Sequence, residues 1–190
     1  MPRFSSSRPW RPLAQAALAA GLLLLSGCGG GSQNAAGPQF APPCPRPALV
    51  RQAEDITRYN GAGNDMTDMV LDGRITGLRG SCQLADQAEQ LDVMVQVDLD
   101  LARGPAAPGR TLDVAYFVAA TEGDQILQKQ VQFAHVAFPP NVDRVRVSGR
   151  PVHLRLAVGP NKSGAAYAIR VGFQLTPEEL QLNRARGPRQ

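Results

Sequence analysis

Hydrophobic and polar residues alternate strictly between Leu91 and Leu101. Leucine and valine occupy the odd positions, and the even positions hold three aspartates, a glutamine and a methionine. Successive side chains of a β-strand point to opposite faces of the sheet, so this pattern predicts a strand with one buried and one solvated face. It is the clearest periodic signal in the chain.

Shorter alternating runs, separated by turns rich in glycine and proline, predict further strands. They lie at about Met69–Gly77, Leu112–Ala120, Ile126–Phe138, Val145–Val147, Val152–Val158 and Tyr167–Leu175. Gly80 is expected to end the first of them, and Leu112–Ala120, which is apolar on both faces, is expected to be a central strand. In the strand that starts at Ile126, we expect Val131 and Phe133 to point inward and the glutamines to point outward.

Six to seven strands without crossover helices indicate an all-β fold. We predict an antiparallel immunoglobulin-like β-sandwich with a short C-terminal helix, and a small β-barrel is the alternative. The buried tryptophan and the inter-sheet cysteine pair typical of immunoglobulin domains have no counterpart here, so this prediction depends on the strand pattern alone.

Two segments carry helix signals instead. The spacing of apolar residues within Ala48–Tyr59 predicts a short helix that ends at Asn60. Near the C-terminus, Thr176–Glu179 places a hydroxyl at the N-cap, a proline at the first helical position and a glutamate at the third. This is a capping box, which satisfies two backbone N–H groups at the start of a helix, and it predicts a helix to about Arg184.

The N-terminus combines basic residues with a short apolar run. Leu13–Leu25 is a 13-residue stretch without charge, preceded only by positive charges. A helix of this length rises about 20 Å, against roughly 30 Å of hydrocarbon in a bilayer. The segment is therefore predicted to be a secretory signal peptide.

The residues Leu25-Ser26-Gly27-Cys28 resemble the lipobox of bacterial lipoproteins. The resemblance implies that residues 1–27 are removed, that the Cys28 sulfur receives a diacylglycerol and that the new amine is acylated. Lipoproteins retained in the inner membrane typically carry aspartate after this cysteine. Gly29 therefore implies an outer-membrane anchor with the domain facing the periplasm, and the periplasmic face of the inner membrane is the alternative. The competing interpretation is an ordinary cleaved signal peptide.

The rest of the chain divides into a tether, one domain and a tail. Residues 28–43 are rich in glycine and proline and are predicted to be flexible, residues 44–184 to form the β-sandwich, and residues 185–190 to be a disordered basic tail. Once Cys28 is lipidated, Cys44 and Cys82 remain as a pair in an oxidising compartment, which predicts a disulfide. A redox or metal-binding thiol pair is the alternative, but the chain lacks a C-x-x-C motif.

Charge is unevenly distributed along the chain. The whole sequence has a net charge of +4, and loss of Arg3, Arg8 and Arg11 with the signal peptide lowers it to +1. Residues 44–100 carry a net charge of −5 and residues 101–180 a net charge of +3, and three further arginines follow. This balance does not indicate a nucleic-acid partner, because nucleic-acid-binding proteins concentrate positive charge on one face.

Arginines in the second half of the domain form the strongest candidate surface. Alternation is expected to bring together Arg144, Arg146, Arg155 and Arg170, with Arg150 nearby. Such a patch could bind an anionic partner, a lipid headgroup or a wall polymer. The alternative interpretation is a solvated strand face.

Other titratable residues give weaker signals. Two acidic groups, Asp92, Asp98 and Asp100 and then Asp65, Asp68 and Asp72, could perform acid–base chemistry or bind calcium, but solvated surfaces are expected. His135 and His153 lie in separate strands without a metal-binding motif. We therefore predict no catalytic residue, no metal site and no cofactor.

The residues Cys44, Ser81-Cys82, Tyr116-Phe117-Val118 and Val171–Leu180 resemble a family of small proteobacterial envelope lipoproteins. The resemblance covers residues 44–184 and implies a location, but no activity or site residues. We expect a noncatalytic lipoprotein that binds an envelope protein or polymer through its strand edges or its arginines. The alternative is a ligand-binding or enzymatic envelope domain that uses the dispersed acidic residues.

Overall fold

A computed structural model describes residues 44–61, 63–85, 89–187 and 189. The predicted signal peptide, the lipidation of Cys28 and the tether at 28–43 lie outside these residues. Within the described ranges, no helix is long and apolar enough to span a membrane.

The described residues form nine strands and one α-helix. The strands are β1 (Pro47–Leu49), β2 (Asp55–Tyr59), β3 (Met69–Ala85), β4 (Gln90–Arg103), β5 (Thr111–Glu122), β6 (Gln125–Ala137), β7 (Arg144–Ser148), β8 (Val152–Ala157) and β9 (Ala168–Phe173), followed by α1 (Pro177–Arg186). Short 3₁₀ turns at Met66–Asp68 and Gly164–Ala166 connect strands.

The strands form two sheets that pack on one hydrophobic core. Sheet I has the order β1-β9-β5-β6, and sheet II has the order β2-β3-β4-β7. β8 also pairs with β4, along Gln90–Val95, whereas β7 pairs with β4 along Asp98–Ala102. All neighbouring strands are antiparallel except β1 and β9. The predicted all-β sandwich with a short C-terminal helix is therefore confirmed, with more strands than the six to seven expected.

The core confirms the alternation in β4. All six apolar residues at odd positions of Leu91–Leu101 are buried, and they pack with Val114, Tyr116 and Val118 of β5. Burying one such aliphatic side chain contributes about 1.5–3 kcal/mol. The central position of β5 between β9 and β6 also matches its prediction.

The helix predicted within Ala48–Tyr59 is wrong. Residues 47–49 pair in parallel with β9, and residues 55–59 pair with β3. Of the apolar residues that suggested the helix, Ala53 and Ile56 are buried and Leu49 packs at the margin of the core. The backbone hydrogen bonds that these residues form with β9 and β3 determine their conformation. The local spacing of apolar residues does not reveal those partners.

Gly80 does not end the first long strand. β3 is 17 residues long and continues past Gly80 to Ala85, and Gly80 lies opposite Val95 of β4. The 14 residues of β4 offer β3 a continuous hydrogen-bonding partner, so a glycine without its own side-chain packing is tolerated. The only irregularity in this ladder is a register shift between Ile75 and Gly77.

The predicted orientation of β6 is also wrong. Val131 is 40% exposed and Phe133 is 62% exposed, whereas Val136 and Phe138 enter the core from the opposite face. The glutamines share that inner face, where the side-chain amides of Gln128 and Gln130 each donate to a carbonyl oxygen of β8 at 2.6 Å. Val136 and Phe138 therefore determine the orientation of β6, and the backbone carbonyls of β8 accept the hydrogen bonds of the glutamine side chains.

The capping box at the start of α1 is confirmed. The backbone N–H of Glu179 donates to Thr176 Oγ1 at 3.2 Å, and the backbone N–H of Thr176 donates to Glu179 Oε2 at 2.9 Å. The helix ends at Arg186, two residues beyond the prediction. The structure differs from the predicted disordered tail here, because Ala185 and Arg186 are helical and Arg189 contacts sheet II.

The predicted disulfide between Cys44 and Cys82 is confirmed. The two Cα atoms are 6.0 Å apart, and the bond joins residues separated by 38 positions. Closing a loop of this length stabilises the folded state by roughly 3–4 kcal/mol in the chain-entropy description. It fastens the start of the domain to β3.

Candidate functional site

Charged side chains form a cross-strand row on the outer face of sheet II. The register places Asp55 of β2 opposite Arg74 of β3, Arg74 opposite Asp100 of β4, and Asp100 opposite Arg146 of β7. Side chains directly opposite each other in antiparallel strands are close enough to interact, so the alternation of sign is favourable. The row joins all four strands in the main order of the sheet.

Asp100 lies at the centre of this row. It is only 8% exposed, and it accepts hydrogen bonds from Arg144 Nη1 at 2.6 Å and Arg146 Nε at 3.1 Å. Burial opposes ionisation of the carboxyl, but the hydrogen bonds and charges of Arg146 and Arg144 together outweigh it. The pKa of Asp100 is therefore below its ordinary value.

Asp55 is held in a similar way at the edge of the sheet. Arg74 forms a bidentate pair with it, with Nε–Oδ1 at 2.7 Å and Nη2–Oδ2 at 3.2 Å. Asp55 is 6% exposed, so the guanidinium supplies most of the hydrogen bonding that water would otherwise provide. The hydrogen bonding that the Arg74 guanidinium donates to Asp55 is the main reason that the pKa of Arg74 is raised above its ordinary value.

The C-terminal segment adds arginines to the same face. Arg189 donates to both carboxylate oxygens of Asp72, at 3.0 and 2.6 Å. Arg186 donates to Thr57 Oγ1 at 3.1 Å and to the hydroxyl of Tyr59 at 2.6 Å, and its guanidinium lies 5.8 Å from the Tyr59 ring centroid. The end of α1 and the residues after it therefore lie against β2 and β3.

A recess of about 160 Å³ lies between the segment before β2 and the end of α1. Its walls are joined by Asn183, whose amide donates to the carbonyl oxygens of Gln52 at 2.9 Å and Asp55 at 2.7 Å. The lining residues are Arg51, Gln52, Asp55, Asn183, Arg184, Arg186, Gly187 and Arg189. A second, more open recess of about 380 Å³ is lined by Arg144, Arg186 and Arg189 together with Tyr59, Met66, Met69 and other residues.

Positive charge predominates in the first recess. Its one carboxylate, Asp55, is already bound by Arg74. Arg184 donates to the amide oxygen of Gln52 at 3.0 Å, and Arg186 donates to neutral hydroxyls. Arg51 is exposed.

The guanidinium groups of the recess can form charge-assisted, bidentate hydrogen bonds with a carboxylate or a phosphate. We call Arg51, Arg144, Arg146, Arg184, Arg186 and Arg189 the arginine face.

The structure does not bring the four predicted arginines together. Arg144 and Arg146 share Asp100, but Arg155 lies on β8 opposite Asp92. Eight positions of β4 separate these two sites, which corresponds to roughly 27 Å. Arg170 is on sheet I, opposite Ala119.

Sequence reasoning missed the arginines that do converge with Arg144 and Arg146. They come from the C-terminal segment, which was predicted to be disordered from residue 185. The signal that could have identified them is the net charge of −5 over residues 44–100, because a basic C-terminal segment is attracted to an acidic sheet face.

Four of the six carboxylates in the two acidic groups are paired with arginine side chains. Asp98 accepts from Arg79 Nη2 and Ser148 Oγ, both at 2.6 Å, and Asp92 lies 4.0 Å from Arg155. Asp72 binds Arg189, while Asp65 precedes an exposed 3₁₀ turn and Asp68 is its last residue. Each carboxylate of β4 faces its own arginine, so the geometry does not pair two of them for acid–base chemistry. Within the described ranges, no group of three His, Cys, Asp or Glu side chains is placed to bind a metal.

The two histidines lie on different sheets. His135 of β6 is exposed and contacts the carboxylate of Asp113 through Nδ1. His153 of β8 is exposed, and its backbone carbonyl accepts from Gln130. They do not form a common site.

No protein-family model, curated protein or solved structure matches this chain. Its function is therefore inferred from its own residues.

Proposed function

We propose that this chain is a lipid-anchored envelope protein whose β-sandwich is a noncatalytic module that binds an anionic envelope polymer through the arginine face. The observation that carries the proposal is the recess in which Arg51, Arg184 and Arg186 meet without a free carboxylate. Its volume of about 160 Å³ accommodates a carboxylate or phosphate group.

The proposed location depends on the N-terminal sequence. Acylation at Cys28 by three chains would hold the protein stably, because two or more chains make membrane attachment persistent. Residues 28–43 would allow the domain to stand at most about 55 Å from the lipid surface. The Cys44–Cys82 disulfide supports an oxidising compartment, and Gly29 supports the outer membrane.

The anchor is tested by replacing Cys28 with serine. Without the sulfur, no diacylglycerol can be attached, so the variant is expected to leave the membrane fraction on alkaline washing while the wild-type chain stays. The measurement is an immunoblot of washed membranes. Retention of Cys28→Ser in that fraction would contradict a lipid anchor.

We expect the guanidinium groups of the arginine face to bind a polymer that carries an anionic group on each repeating unit. A polymer that presents several carboxylates can contact the recess and the exposed Arg144 and Arg146 together, because Arg186 and Arg189 line both this recess and the neighbouring one that contains Arg144. Multiple contacts along one chain raise affinity without requiring a deep pocket. The carboxylate-bearing wall polymer is the proposed partner.

The binding test uses the purified lipidated chain in neutral detergent and isolated cell-wall sacculi, which sediment. Arg51→Gln combined with Arg184→Gln removes two charges at exposed positions, and about a tenfold increase in the apparent Kd is expected. Arg170→Gln on sheet I is the matched control and should bind like the wild type. Equal binding by all three proteins would contradict the proposal.

A further inference from the structure

The outer face of sheet I is apolar, in contrast to the charged outer face of sheet II. The even-numbered residues of β5 between Val114 and Ala120 belong to the core, so the odd-numbered ones point outward. Their partners on β6 share that face, because side chains directly opposite each other in a sheet lie on the same side. Phe117 thus lies beside Val131 on the outer surface, and Ala115 lies beside Phe133.

The exposed apolar side chains are concentrated on one strand of this sheet. Four of the seven large apolar side chains that are exposed among the described residues belong to β6. They are Ile126 at 60%, Leu127 at 40%, Val131 at 40% and Phe133 at 62%. A soluble surface rarely keeps such side chains together, so their concentration indicates an interaction surface.

The charges at outward strand positions of the same face are mainly positive. Arg170 of β9 and Lys129 of β6 lie on the two sides of Ala119, and both are exposed. At the described outward positions of the four strands, the one carboxylate is Asp113, and it contacts His135. An anionic partner would therefore meet two cations and a carboxylate that already has a cationic or hydrogen-bonding neighbour.

This combination fits the boundary between the headgroups and the acyl chains of a bilayer. Apolar side chains bury into that boundary, and lysine or arginine side chains contact the phosphates of anionic lipids. The Lys129 ammonium lies 4.7 Å from the centroid of the Phe117 ring. The positive charge is therefore beside the apolar side chains, as contact with a lipid surface requires.

The N-terminal chain leads directly to this sheet. β1, its edge strand, begins at Pro47, three residues after the end of the domain that joins the predicted tether at 28–43. A face held close to a bilayer by a lipid has a high effective concentration there. Contacts too weak to recruit a free protein to the membrane can therefore persist in a tethered one.

We propose that the outer face of sheet I lies on the membrane that holds the lipid anchor, with β6 against anionic phospholipid. The two sheets of a sandwich present their outer faces in opposite directions. This orientation turns the arginine face of sheet II away from the lipid and toward the wall polymer. The inference rests on the lipid anchor of the proposed function but does not depend on polymer binding.

The test uses tryptophan as a probe of depth. Trp10 is the one tryptophan of the sequence and lies in the predicted signal peptide, so Phe133→Trp gives the lipidated chain a single tryptophan. This chain is reconstituted into vesicles of phosphatidylethanolamine and phosphatidylglycerol, with and without brominated acyl chains. Bromine should quench about half of its fluorescence, because an apolar face of this kind enters a bilayer by about 5–10 Å.

The control places the probe on the opposite sheet. Thr76→Trp, at an exposed position of β3, should keep its fluorescence in the same brominated vesicles. Thermal unfolding of both variants should match that of the wild type. Adding Lys129→Glu to Phe133→Trp should reduce quenching, and so should replacing phosphatidylglycerol by phosphatidylcholine, because each change removes attraction between the face and the lipid.

Each other outcome overturns the inference. If Phe133→Trp stays on the vesicles but is not quenched, the anchor holds and this face does not contact lipid, which leaves it open to a protein partner. Equal quenching of Phe133→Trp and Thr76→Trp excludes a preferred orientation. Quenching that neither Lys129→Glu nor neutral lipid reduces excludes recognition of anionic phospholipid. A chain that washes off the vesicles contradicts the anchor itself and the inference with it.

Discussion

Asp100 holds two members of the arginine face, Arg144 and Arg146, in position. A buried carboxylate is costly unless its hydrogen bonds are satisfied, and two arginines of β7 satisfy this one. The arginine side chains themselves are 65% and 85% exposed. Their guanidinium groups can therefore hold Asp100 and still present positive charge to solvent.

Asp100→Asn is expected to lower the free energy of unfolding by about 2 kcal/mol, because two charge-assisted hydrogen bonds are weakened at a buried site. Asp113→Asn is the control, since that carboxylate is 60% exposed. Its effect should remain within about 0.5 kcal/mol. Denaturant unfolding at neutral pH measures both, and equal losses would contradict a special role for Asp100.

The lowered pKa of Asp100 also predicts the sign of a pH effect. The stabilisation is fully present above the ordinary aspartate pKa of 3.8 and is lost as the pH falls through the lower value of the folded state. Wild-type stability should therefore fall more steeply than that of Asp100→Asn on acidification below about pH 4. Parallel curves for the two proteins would contradict this assignment.

At the scale of single elements, predictions succeeded where the signal is local. The alternation in β4 and the capping box of α1 could be predicted from the sequence, because each pattern is complete within a short segment of the chain. β2 and β6 were misassigned because their state depends on distant partners. β2 is a strand since β3 lies beside it, and β6 turns its glutamines inward since Val136 enters the core and β8 supplies acceptors.

α1 provides a direct test of a local signal. Thr176→Ala removes the side chain that caps the Glu179 N–H and should lower the free energy of unfolding by about 1 kcal/mol. Gln181→Ala, at an exposed position of the same helix, should change it by less than about 0.5 kcal/mol. Thermal unfolding of the two variants makes the comparison, and a neutral Thr176→Ala would show that the cap is dispensable.

At the scale of the whole molecule, the uneven charge of the chain becomes an arrangement in space. The acidic first half supplies β2, β3 and β4, and the basic second half supplies β7 and the C-terminal segment. Sheet II places them side by side, which neutralises the aspartates and leaves arginines in excess at the recess. Composition alone predicted charged surfaces but could not predict which arginines converge, because strand order determines that.

The most direct test of the proposed function is the salt dependence of binding to cell-wall sacculi. Between about 50 and 200 mM salt, screening shortens the range of exposed charges, so wild-type binding should weaken strongly. The Arg51→Gln, Arg184→Gln double variant should bind more weakly at low salt and lose less on salt addition. Identical salt curves for the wild type and this variant would contradict binding through the arginine recess.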